Sequence, residues 1–234
     1  GGETDKVAFK DLFSFGRYYW YVVALCVKFY SAIFPFQTFA VKFFQEAQGT
    51  TREVGGALSS QITLFAMVMT PLFGLLSDRI GKRALLMTFG SLLLVPVYLM
   101  MAYTHMPQLL LGTLRLGTYE FPLYLPMILM GVAFSLIPAV MWPSVAYLVD
   151  QPRLGTAYGL MTMIQNIGLA GFNLLIGFAN DHWAASEANP AGYRPGLWMF
   201  SVLGFAGLLF SFLLRHSETS PGAHGLETIK TGGK

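Results

Sequence analysis

Long apolar runs separated by short polar joints organise the whole chain. Six runs stand out, at about 18–45, 56–77, 83–103, 122–149, 155–180 and 196–215. Each holds roughly 20 residues or more, enough to cross a hydrocarbon core of about 30 Å as a helix. None alternates apolar and polar residues at a period of two, and each is about twice the length of a membrane-barrel strand, so the runs predict helices. The expected fold class is therefore an all-α membrane protein with six transmembrane helices. The polar ends predict a cytoplasmic linker over 1–17 and a disordered cytoplasmic tail over 216–234. The longest joint, 104–121, is half apolar; it either lies on the membrane face or forms a small hairpin.

Composition strengthens this picture. Of 234 residues, 54% are hydrophobic and 12% are charged, about half the charge that soluble domains use to cover their surfaces. The lone Cys26 excludes an internal disulfide and a cysteine-based metal site, and His105, His182, His216 and His224 are scattered. No cofactor, metal or nucleic-acid partner is expected. The chain opens GGETDK without an apolar leader and reads as a segment of a longer protein.

Charge position adds an orientation. With the amino end on side one, that side carries Lys6, Lys10, Arg17, Arg79, Lys82, Arg83, Arg153, Arg215, Lys230 and Lys234. Side two carries Lys42, Arg52, Arg115 and Arg194. The excess of lysine and arginine predicts that side one, with both termini, is cytoplasmic.

Three joints carry recognisable spacing. GLLSDRIGKR, residues 74–83, links spans two and three and contains Gly74, Asp78, Arg79, Gly81, Lys82 and Arg83. Gly74 and Gly81 suit close packing and a tight turn, and Asp78 suits the N–H groups opening the next helix. Residues 150–160, DQPRLGTAYGL, join spans four and five with Arg153, Gly155, Ala157 and Gly159. GFAND, residues 177–181, ends span five with Gly177 and Asp181. In order and position these elements resemble the signatures of the major facilitator superfamily (MFS). FPFQTFAVKFF (34–44), TPLFGLLSDRIGK (70–82) and the stretch 141–170 further resemble the carboxy-terminal half of the MFSD1-like transporters, which include a lysosomal dipeptide exporter and bacterial members.

The resemblance implies helices seven to twelve of a twelve-helix transporter, partnered by an amino-terminal six-helix half. It implies secondary active or facilitative movement of small organic solutes by alternating access, dipeptides or amino-acid-like substrates among them, with or without a coupling proton. It implies that spans one and four line a cavity, two and five form the moving interface, and three and six face lipid. The long 104–121 joint departs from the animal members and favours a bacterial inner membrane over a lysosomal one. Asp78, Arg79, Gly81, Lys82, Arg83 and Gly74, with Arg153 and Asp181, are the implied gating residues, Asp78 and Arg79 being the working pair.

Candidate substrate contacts come from polar and aromatic residues inside spans. Lys28 lies about 15 Å into span one, where a charge needs water, a partner or substrate; a substrate carboxylate would satisfy it, as would snorkelling or a carboxylate of the partner half. Phe34 and Gln37 flank Pro35, which frees backbone carbonyls. Trp142 and Tyr147 stand among Ser135, Ser144 and the prolines of span four, and Gln165 and Asn166 share a stripe of span five with Tyr158 and Asn173. No acidic residue lies mid-membrane, so either coupling resides in the other half or transport is passive. The paired Asp, Ser–His or clustered His of an intramembrane enzyme are missing, as is a phosphate loop for an ATP-driven pump. A non-transporting membrane adaptor is the alternative class.

Overall fold

The computed structural model describes residues 14–230; most of the expected linker, 1–13, and the last four residues lie outside them. Six helices are long and apolar enough to span a membrane. They are α1 (Arg17–Gln48), α2 (Arg52–Ile80), α3 (Arg83–Tyr103), α5 (Leu125–Leu148), α6 (Leu154–His182) and α7 (Arg194–Glu218). Several extend past the apolar runs, because polar residues continue a helix until something caps it. Gly49 ends α1 at φ 68, and the Gly49 and Thr50 N–H groups return to the Gln45 and Phe44 carbonyls. The Thr51 hydroxyl opens α2 by accepting the Val54 N–H.

The 104–121 joint forms the hairpin. A short α4 (Met106–Leu109) leads into antiparallel β1 (Leu110–Leu116) and β2 (Tyr119–Tyr124). Leu114 faces Phe121, and Arg115 faces Glu120 with an ion pair of 2.9 Å. Strand β2 takes residues 122–124 from the expected fourth span, so α5 begins at Leu125. Pro122 fits a two-stranded ribbon, where its missing N–H need not be paired on both sides, and its carbonyl accepts from the Gln61 amide of α2. An apolar groove of about 360 Å³ lies between the hairpin and α2, lined by Leu64, Phe65, Val68, Leu114, Phe121 and Leu123.

The helices interleave: α3 packs on α7 and α5, α2 on α5, and α1 on α6 and α7. The core centres on Phe36, Tyr98 and Phe200, with the Tyr98 and Phe200 rings stacked at 5.0 Å and the Tyr98 hydroxyl donating to the Ala32 carbonyl. Glycines permit close helix crossings. A Cβ on Gly131 would stand 2.7 Å from Phe65, and one on Gly168 would stand 2.6 Å from Val27. Gly159 and Gly171 of the same helix meet no neighbour at the Cβ position.

Burial is uneven. Only 17% of the apolar windows of α2 and α6 is buried, against 44–56% in the other four. Leu64, Met67, Val68, Leu72 and Leu75 of α2, and Met163, Ile167, Leu174 and Phe178 of α6, are exposed.

The tail departs most from expectation. Residues 216–218 complete α7, and 219–230 fold back beneath the bundle instead of being disordered. The anchor is a carboxylate: Glu218, fully buried, accepts the His224, Gly225 and Leu226 N–H groups at 3.0 Å each, and its other oxygen meets His224 Nδ1 at 3.0 Å. Charge-assisted bonds of this kind outweigh the low apolar content from which disorder was expected. Leu226 is fully buried as well.

Candidate substrate wall and gating loop

Helix α1 places Tyr30 and Phe34 one turn apart on one face. Their rings stack at 5.6 Å. Phe134 of α5 meets Phe34 edge-on at 5.7 Å, and Trp142 donates from Nε1 to the Tyr30 hydroxyl at 2.9 Å. Tyr158 of α6 closes the group, 5.9 Å from Trp142, with its hydroxyl donating to the Trp142 carbonyl at 3.0 Å. The result is an aromatic wall across α1, α5 and α6, partly buried except at Phe34, which is exposed. Such a wall offers stacking and apolar contact with few free donors, because the Trp142 indole and the Tyr158 hydroxyl already donate.

Expected contacts distribute unevenly around it. Phe34 and Trp142 are in the wall. Gln165 stands beside it, with its Oε1 accepting from Cys26 Sγ at 3.2 Å, while Asn166 is exposed next to it and Gln37 is half-buried one turn from Phe34. Tyr147 is elsewhere, its ring 4.8 Å from the Arg83 guanidinium. Ser135 and Ser144 are buried and bond back to Gly131 and Val140 of their own helix, as mid-helix serines do. Lys28 is half-buried and makes no ion pair among the described residues. At about 100° per residue it stands roughly 160° round α1 from Tyr30, on the side of Tyr21, which packs on Phe210 of α7. The geometry therefore does not bring Lys28 to the wall.

Tyr30 and Phe134 were missed by sequence reasoning. The available signal was spacing: Tyr30 and Phe34 are four apart, and Phe134 and Trp142 are eight apart on a helix.

At one end of the bundle lies the Gly-Asp-Arg loop. Gly81 at φ 70 and Lys82 at φ 46 turn the chain sharply between α2 and α3. The turn brings Arg83 back to Asp78, with Nη2 3.0 Å from Oδ1. Arg79, implied by resemblance to work with Asp78, follows it by about 100° on the same helix and is exposed. Arg83 is only 1% exposed and also donates from Nη1 to the Ile229 carbonyl at 2.8 Å. Gly74 meets no neighbour at its Cβ position. At the same end Arg153 lies over Phe15 at 4.6 Å and donates to Ser14. Asp181 is exposed at the opposite end of α6, so it is not part of this cluster.

Six interleaved apolar helices, two of them left half-covered, and a charged glycine turn at one end define the fold of a six-helix half of a membrane carrier. The Major Facilitator Superfamily model matches residues 19–231, and the chain belongs to that family. It is similar to the lysosomal dipeptide transporter MFSD1 of Bos taurus, 32% identical over 180 residues covering 77% of this chain and 35% of that protein. The Gallus gallus transporter of the same name is 31% identical over 77% of this chain and 37% of its own length. The chain thus spans about a third of the curated relatives it matches. A crystal structure of a mutant peptide transporter POT in complex with alafosfalin overlays with TM-score 0.64 at 15% identity, covering 92% of this chain and 39% of that one. The protein is a multi-pass membrane protein of a transporter family.

Proposed function

We propose that this chain is the carboxy-terminal half of a carrier that moves dipeptides or amino-acid-like solutes by alternating access. The observation that carries the reading is the aromatic wall of Tyr30, Phe34, Phe134, Trp142 and Tyr158, flanked by the amides of Gln37, Gln165 and Asn166. Rings of this kind accept the side chains of short peptides by stacking, and the amides can hydrogen-bond peptide groups. The under-buried faces of α2 and α6 suit an amino-terminal half packed against them, and substrate would bind near the midplane between the halves. The cation distribution supports cytoplasmic termini, and the hairpin after α3 supports a bacterial inner-membrane relative over a lysosomal one. Any coupling proton would be carried by the other half.

The test is uptake of labelled dipeptides and amino acids by the full-length transporter in liposomes. Trp142→Ala is expected to raise KM about three- to tenfold, the worth of one aromatic contact. Absence of uptake for every dipeptide and amino acid, with or without a proton gradient, would replace the carrier by an adaptor.

A further inference from the structure

The segment after Glu218 makes contacts of its own. Beyond Glu218 it runs under α1, with His224 edge-on to Tyr18 at 4.7 Å, and then occupies the opening of α3. The Lys82 and Arg83 N–H groups donate to the Glu227 and Leu226 carbonyls at 3.3 and 2.8 Å. The Glu227 carboxylate accepts the Leu85 N–H at 2.8 Å. Ile229 takes the Arg83 guanidinium. A side chain on Gly81 would come within 3.3 Å of the Glu227 and Ile229 carbonyls. The segment therefore supplies partners for the orphan donors of a helix N-terminus while holding the buried arginine of the gating loop.

We propose that residues 219–230 form a carboxy-terminal strap that clamps the α2–α3 loop and sets how readily the carrier changes conformation. The inference deepens the carrier reading and rests on it. The strap joins three parts of this half, the end of α7 through Glu218, the start of α1 through Tyr18 and the loop through Arg83, and so ties the end of α2, an interface helix toward the other half, to the rest of the bundle. Its contacts with the loop are mostly backbone bonds and one carboxylate, strong enough to order the turn and few enough to be broken together. An unclamped loop would leave the Arg83, Leu85 and Lys82 donors to water and free Arg83 to leave Asp78. Opening would then be limited by the loop alone and not by the strap.

The experiment uses the full-length transporter in liposomes and two readouts. Amide hydrogen exchange over residues 77–86 reports the loop, and dipeptide uptake reports cycling. The variants are a chain ending at Ser220 and the milder Glu227→Ala, which removes only the carboxylate cap. Both are expected to accelerate exchange at the loop, about tenfold or more for the truncation. Turnover should change by at least about threefold with KM held within about twofold, because the wall is untouched. Unchanged loop exchange in both variants overturns the clamp. Faster exchange with unchanged turnover also overturns it, leaving the strap as a structural cap without control of cycling. If wild-type protein transports no tested solute, the carrier reading fails separately; the clamp is then judged by loop exchange alone and falls if that exchange is unchanged.

Discussion

The buried arginine separates two readings of the gating loop. Family resemblance implies Asp78 and Arg79 as the working pair; within this half, Asp78 pairs with Arg83. Removing Arg83 as Arg83→Ala deletes a charged donor to the Ile229 carbonyl, worth about 1.5–3 kcal/mol. It deletes a desolvated cation–π contact with Tyr147, worth about 1–2 kcal/mol. The ion pair adds no more than about 1 kcal/mol, because Asp78 is 48% exposed and its charge is screened. Relief of the cost of burying a guanidinium offsets part of the total, leaving about 3 kcal/mol. Arg79 is exposed, and Arg79→Ala should fall within about 0.5 kcal/mol of wild type. Thermal unfolding of the full-length protein in detergent micelles, followed by tryptophan fluorescence, measures both. At about 2–4 °C per kcal/mol for a unit of this size, Arg83→Ala should lower Tm by about 6–12 °C and Arg79→Ala by no more than about 2 °C. Equal losses, or a larger loss at Arg79, would refute the assignment of Arg83 as the residue that holds the loop together. Arg83→Lys should fall between, since a single ammonium cannot reach Asp78 and Ile229 with the planar fork of a guanidinium.

Other outcomes follow from the same geometry. Gly168→Leu should force α6 away from α1, where a Cβ already meets Val27 at 2.6 Å, and cost about 1–3 kcal/mol of stability; an unchanged Tm would contradict the packing. Lys28→Ala should leave dipeptide KM within about threefold, because the residue stands away from the wall; a loss well beyond that in uptake assays would return Lys28 to the site. Tyr30→Phe removes the acceptor of the Trp142 indole and should weaken the wall by about 1 kcal/mol, read as a KM change of about fivefold with turnover nearly kept.

Much of the architecture was legible because one physical rule dominates in lipid: backbone groups must be satisfied within the segment, so apolar length alone reveals helices. The third helix, 83–103, falls on the observed Arg83–Tyr103 for that reason. The sequence leaves the hairpin undecided because its strands are half apolar and a membrane face could absorb them equally well. The site was less legible. Depth picked out Lys28, but depth says nothing of direction, and a rotation of roughly 160° about α1 decides whether a side chain meets the wall. The Asp78–Arg83 pair depends on the left-handed Gly81 and Lys82, a turn that adjacency in sequence does not convey. The strap was read as disorder because its apolar content is low, while its anchors, Glu218 and Glu227, act through backbone N–H groups whose arrangement no composition reports.

The wall and the loop are linked by one helix. Trp142 and Tyr147 lie five residues apart on α5, the first in the wall and the second against Arg83. Pro138 and Pro143 lie within that helix, and each removes a backbone bond to the residue four earlier, so α5 is softened over 134–143, the stretch that carries its aromatic contact. Proximity of this sort is no wire; coupling needs an element with two arrangements that both sites bias. The strap supplies a candidate for that element, because its bonds to the loop are made together and can be lost together. A substrate that shifts Trp142 would act on Arg83 through Tyr147, and Arg83 is held on its other side by Ile229. On the proposed strap, the energetic lever at the loop is the exchange of Arg83 between the strap and its surroundings.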